Sequence, residues 1–157
     1  MKKPTTINNE NDFRRFLHIS AEEMGYHVSH IESPQTSPGI PDLNLAKAGQ
    51  DIWLEVKVWR DGIHMLPSQR RWHRARRLIG GASFVVCWID SYYTLLPGHI
   101  AADLSPISQQ WRWGHRYSMD DPAAMLRTIR QALFMYAPAR VLSDSQGDSP
   151  PDLADER

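Results

Sequence analysis

Gly39-Ile-Pro-Asp-Leu43, a polar turn, and Ile52-Trp-Leu-Glu-Val-Lys57 form the stretch whose reading decides the fold. It sets Asp42, Glu55 and Lys57 inside two short apolar segments, where charged groups are costly unless something binds them. From Ile52 to Val58 the even positions are aliphatic (Ile52, Leu54, Val56, Val58), and the odd ones are Trp53, Glu55, Lys57 and Trp59. A period of two predicts a strand with Glu55 and Lys57 on its second face. Asp42 and Asn44 alternate with Leu43 and Leu45 in the same way. Folding the two segments about Ala48-Gly49 brings Asp42 across from Glu55. Opposed carboxylates destabilise a sheet, and a divalent cation between them removes that penalty. Ala48 resists the positive φ of a tight turn, and a one-residue shift of register would send Asp42 to the other face.

Outward from this hairpin, the chain has the size of one domain: 157 residues, with 41% hydrophobic and 23% charged. Residues 1–142 are expected to form that domain, and the acidic stretch 143–157 a disordered tail. No apolar run reaches the length of a membrane span, and the N-terminus lacks a signal-peptide apolar core. The single cysteine, Cys87, excludes an internal disulfide framework and a cysteine-based zinc site. It lies in an apolar strand and reads as core. A cytoplasmic setting, in a bacterial or phage-infected cell, is the expectation.

The net charge of zero conceals an asymmetry. Residues 47–77 carry eight bases (Lys47, Lys57, Arg60, Arg70, Arg71, Arg74, Arg76, Arg77) against three acids. A basic field beside a carboxylate pair points to a polyanionic partner, although charge runs are more often solvated helix faces.

The first helix is expected over about Asn9 to Met24, on the stripe Phe13, Phe16, Leu17, Met24, with Asn9 as N-cap and Gly25 as stop. Glu10 continues that stripe at its N-terminal end, or is simply a first-turn acid favoured by the helix dipole. Tyr26–Ile31 reads as a short strand. A second helix, with Ser68 as N-cap, runs to Ile79 on a narrow apolar set of Trp72, Ala75, Leu78 and Ile79. The continuous run Ser83–Ile89 predicts a strand buried on both faces, joined to the Lys57 strand by a parallel crossover. Tyr92–Leu96 is one more strand. Residues 99–120 carry no clear period. Trp111 to Tyr117 interleaves aromatics with arginines, which suits base stacking or a packed hairpin. Six tryptophans in so small a chain are expected to be mostly buried. Asp121-Pro122 opens a C-terminal helix.

Pro41-Asp42 followed by Glu55-Val56-Lys57 resembles the signature of the PD-(D/E)XK nuclease superfamily. Gly39-Ile-Pro-Asp-Leu43, Gln69 with Trp72, and Glu10 with Phe13 are similar to elements of its virus-type replication-repair (VRR-NUC) branch, which includes small phage-like members. The resemblance covers Glu10 to Ile89. It implies an α/β, restriction-endonuclease-like core: a central mixed β-sheet flanked by helices in the order α-β-β-β-α-β, here with a C-terminal helix added.

It also implies an Mg²⁺- or Mn²⁺-dependent endonuclease hydrolysing DNA phosphodiesters, selective for branched or Holliday-junction DNA, acting as a homodimer in repair or recombination. Asp42, Glu55, the Val56 carbonyl and Glu10 would hold the metal. Asp42, Glu55, Lys57, Glu10 and Gln69 would form the catalytic set. Arg60, Arg70, Arg71 and Arg74 would contact DNA phosphates. Arg76 and Arg77 read as solvated, and His64 and His73 as structural or exposed residues outside the site. The competing readings are a catalytically inactive nucleic-acid-binding protein of the same fold and a sequence-specific restriction-type nuclease.

Overall fold

The computed structural model describes residues 4, 6–31, 38–59, 62–89, 92–105, 116–118 and 120–136. Arg60, most of the Trp111–Tyr117 stretch and the acidic tail lie outside the described residues. The elements are α1 (Glu10–Glu23), β1 (His27–His30), β2 (Leu43–Lys47), β3 (Gln50–Val58), α2 (Pro67–Leu78), β4 (Ala82–Ile89), β5 (Tyr92–Pro97), α3 (Gly98–Leu104), β6 (Arg116–Ser118) and α4 (Pro122–Tyr136).

The strands form one mixed sheet in the order β1-β2-β3-β4-β5-β6. Among the described strands, only β3 and β4 pair in parallel. The crossover between them is α2, as a parallel pair requires a long connection. The β2–β3 hairpin pairs Leu43 with Leu54 and Lys47 with Gln50, so its two-residue turn is Ala48-Gly49. Both turn residues have positive φ, 51° and 75°, which matches the twist of the flanking strands. Ala48 accepts the left-handed region at a cost of about 1–2 kcal/mol. The register holds.

Alternation then sorts the two faces of the sheet. Leu43, Leu45, Ile52, Leu54, Val56, Phe84 and Val86 join Phe13, Phe16 and Leu17 of α1 and Met125, Leu126 and Ile129 of α4 in the larger core. Val85, Cys87 and Ile89 face the other way, onto Ile63, Met65 and Ala101. The side chains of Glu55 and Lys57 belong to this second face, whose helices are α2 and α3.

Caps follow the expected chemistry at α1 and α4. The Asn9 side chain accepts from Asp12 N, Gly25 ends α1 at φ 78°, and Asp121 Oδ1 accepts from Ala124 N. At α2 the expectation fails. The helix starts at Pro67 after Leu66 and ends at Leu78, so Ser68 lies inside the first turn. Proline occupies a position that needs no N–H, and Gln69 Oε1 takes the free Leu66 N–H at 2.9 Å.

The inward face of α2 is also a correction. Ala75 is exposed, and Leu78 and Ile79 stand 87% and 75% exposed, whereas His73 is fully buried. The helix lies over the polar side of the sheet and presents Gln69, Trp72, His73 and Arg76 to it. Tryptophan burial is lower than expected as well: Trp53, Trp59, Trp72 and Trp88 are all only part-buried. Part of the unassigned stretch 99–120 is helical, as α3.

Candidate active site

Five residues named from the sequence meet at the C-terminal half of β3. Continuing the β2–β3 register by one residue sets Asp42 against Glu55. Asp42 Oδ2 accepts from Val56 N at 2.8 Å, which fixes the carboxylate beside the strand. Lys57 Nζ lies 2.6 Å from Glu55 Oε1 and 4.0 Å from Glu10 Oε1. Gln69 Nε2 donates to the same Glu55 oxygen. The side chain of Gln69 therefore ties the first turn of α2 to the middle of β3.

Gly39 explains how the two loops come so close. Its φ is 97°, and a Cβ there would stand 2.4 Å from Ser68 C and 2.5 Å from Ser68 O. Only glycine lets the strand entry pass against the start of α2. The Gly-Ile-Pro-Asp segment thus carries Asp42 and, through that contact, seats Gln69.

Burial grades the carboxylates. Glu55 is 1% exposed, while the side chains of Asp42 and Glu10 are 24% and 47% exposed. Desolvation raises the Glu55 pKa to about 7; Lys57 opposes the shift, and Asp42 and Glu10 add to it. Desolvation pulls the Lys57 ammonium down, but Glu55, Glu10 and Asp42 outweigh it and its pKa is raised. Lys57 is a cation at neutral pH. Glu55 Oε2 is buried without a hydrogen-bond partner. An unpartnered carboxylate oxygen beside a second carboxylate is a donor set suited to a hard divalent cation. Among the described residues, no group of three or more His, Cys, Asp or Glu side chains has the geometry of a metal site. Val56 enters through its N–H to Asp42.

The arginines divide. Arg70 Nε donates to Ala102 O at 2.9 Å, and Arg74 reaches both Ala102 O and Asp103 Oδ1, the latter at 2.7 Å. These two clasp the last turn of α3. Arg71 is exposed. Arg76 joins Asp51 at 2.8 Å and lies over the Trp53 ring, so it is not merely solvated. His73 is structural: its Nδ1 pairs with Ser83 Oγ at 2.9 Å, and burial lowers its pKa to about 4.

One neighbour escaped the sequence reading. Arg14 Nη1 lies 3.8 Å from Asp42 Oδ1. The available signal was spacing, since Arg14 follows Glu10 by four residues and shares its helix face.

No family model matches the chain, and no curated protein matches it in sequence. The solved structures do give a match. Hjc, a Holliday junction resolvase from the archaeal hyperthermophile Archaeoglobus fulgidus, superposes with a TM-score of 0.52 at 16% identity, over 72% of this chain and 97% of that one. The fold is restriction-endonuclease-like. Its six-stranded mixed sheet with flanking helices is similar to that of Hjc. Among the described residues, no helix is long and apolar enough to cross a membrane.

Proposed function

We propose that the chain is a divalent-metal-dependent endonuclease that hydrolyses DNA phosphodiesters, with selectivity for branched DNA such as Holliday junctions. The observation that carries the reading is Glu55: buried, with one oxygen unpartnered, paired with Lys57 and set across from Asp42. A binding protein has no use for opposed carboxylates in an apolar hairpin. The likeness to a Holliday junction resolvase supports the substrate class.

Asp42 and Glu55 would hold the ion, Mg²⁺ or Mn²⁺, with the Val56 carbonyl as a further donor and Glu10 as an outer contact. When bound, such an ion polarises the scissile phosphate and lowers the pKa of a water. Lys57, a cation held in place by two carboxylates, holds the attacking water or stabilises negative charge on the phosphate oxygens. Gln69 keeps the Glu55 carboxylate from rotating. Arg14 fixes Asp42 from the α1 side. Arg71, exposed on α2, is open to a DNA phosphate; Arg60, Arg70 and Arg74 complete the proposed contact set, the last two while also holding α3.

The finer assignment, to the VRR-NUC branch with a phage-like, homodimeric protein in the cytoplasm, belongs to the same proposal. It rests on Gly39–Leu43, Glu10 and the Gln69–Trp72 pair. Incubating the full chain with linear duplex, single-stranded, flap and four-way-junction DNA tests the reading. Preferred cutting of the junction is expected; equal cleavage of all four would remove junction selectivity.

A further inference from the structure

Away from the carboxylates, on the opposite face of the sheet, two imidazoles converge. His18 lies in the C-terminal half of α1 and His30 at the end of β1, and their rings are tilted with centroids 4.5 Å apart. His30 Nε2 faces His18 Nδ1 at 2.5 Å. On its other side, His18 Nε2 lies 3.2 Å from Glu22 Oε2, one helical turn along α1. His18 is 8% exposed, Glu22 is open to solvent and His30 is part-buried. The alternation of β1 puts Val28 and His30 on the face that meets α1, so the juxtaposition follows from strand period and helix spacing together.

The chemistry of this row is directional. A carboxylate at Nε2 holds the proton there and leaves a lone pair on Nδ1 of His18. That lone pair and the Nε2 of His30 then point at one another, and either a proton or a metal ion can sit between them. Carboxylate, imidazole and metal in line is the arrangement that fixes the tautomer of a metal-ligating histidine and raises its basicity.

We propose that His18 and His30 form a second metal site, selective for imidazole-seeking first-row ions such as Ni²⁺, Cu²⁺ or Zn²⁺, with Glu22 as the carboxylate behind His18. It is distinct in chemistry from the oxygen-donor set at Asp42 and Glu55, because Mg²⁺ has little affinity for imidazole nitrogen. A tetrahedral ion with metal–nitrogen bonds of about 2.0–2.1 Å holds its ligand nitrogens about 3.3 Å apart. The rings therefore separate by about 0.8 Å to admit it, a shift that side-chain rotation supplies. Water fills the remaining positions. The ion would staple the second half of α1 to β1, the edge strand of the sheet.

The test uses the full chain in millimolar Mg²⁺, which occupies hard oxygen sites, and titrates Ni²⁺ by calorimetry. Wild type is expected to bind one equivalent more than His30→Ala or His30→Gln, and Glu22→Gln to weaken that equivalent about tenfold or more. With one equivalent of Cu²⁺, the electron paramagnetic resonance spectrum of wild type should show coupling to two imidazole nitrogens, a readout that needs no variant to fold. Equal Ni²⁺ binding by wild type and folded His30 variants, or a Cu²⁺ spectrum without two-nitrogen coupling, would overturn the site in favour of a proton shared between two histidines. Neither result depends on whether the chain cleaves DNA.

Discussion

Glu55 is a buried carboxylate whose charged form is penalised by desolvation, and its protonation sets a testable pH dependence. Its folded-state pKa, about 7, lies above the ordinary value of 4.5. Between those values the folded chain holds a proton that the unfolded chain has lost, so this group's contribution to stability falls as the pH rises through the window. Above pH 7 the metal-free protein bears the buried charge in full, and a bound cation relieves it. Mn²⁺ should therefore raise the melting temperature more at pH 8 than at pH 5.5. Its affinity should weaken below pH 7 by up to about tenfold per unit, because a proton competes for Glu55. Calorimetric titration across that range checks both, and equal affinity at pH 5.5 and 8 would contradict the assignment. At Gly39, the positive φ and the Ser68 backbone leave no room for a methyl group. Gly39→Ala should cost about 1–3 kcal/mol in urea unfolding and displace Gln69. A variant as stable and as active as wild type would show that the loop has another way to pass α2.

Among the elements, the hairpin was the most legible, α2 was legible as a helix but not in its inward face, and α3 was the least legible. The strand period of β2 and β3 is short-range information, and the two-residue turn at Ala48-Gly49 leaves one register that buries Leu43, Leu45, Ile52 and Leu54 together. That register brought Asp42 to Glu55. Helix α2 misleads because its apolar residues are few and most of them face solvent. What it turns inward is Gln69, Trp72, His73 and Arg76, chosen by the polar face beneath. Helix α3 could not be read locally at all. Gly98 is required by His73, since a Cβ there would stand 2.1 Å from His73 Nδ1, and that contact spans most of two elements. The sequence assigns Arg70, Arg71 and Arg74 together to DNA phosphates, but contacts with α3 divide them. Arg70→Ala should cost about 1 kcal/mol through its lost bond to Ala102 O, seen as a lower melting temperature. Arg71→Ala should leave the melt unchanged and flatten the slope of log affinity for duplex DNA against log salt by about one. An unchanged slope would remove Arg71 from the phosphate contacts.

At the scale of the whole molecule, the sheet separates two tasks between its faces. The α1–α4 side holds the larger apolar core, and the α2–α3 side holds the carboxylates, Lys57 and the aromatic and arginine side chains around them. α1 links the two, burying Phe13, Phe16 and Leu17 on one side while delivering Glu10 and Arg14 to the site. Order along the chain, from Glu10 through Asp42, Glu55 and Lys57 to Gln69, was enough to foresee which residues meet, since Glu10 and Gln69 lie in the first turns of helices and Asp42 just before β2, all beside the C-terminal half of β3. The likeness to Hjc extends that agreement to the backbone.

Cleavage of a labelled four-way junction by the purified full chain tests the central claim most directly, measured in Mg²⁺ and in EDTA beside Asp42→Asn and Glu55→Gln. Metal-dependent strand scission, abolished in EDTA and reduced at least a hundredfold by either substitution, is the predicted result. Intact junction under every metal condition, or cutting that survives loss of both Asp42 and Glu55, would contradict it.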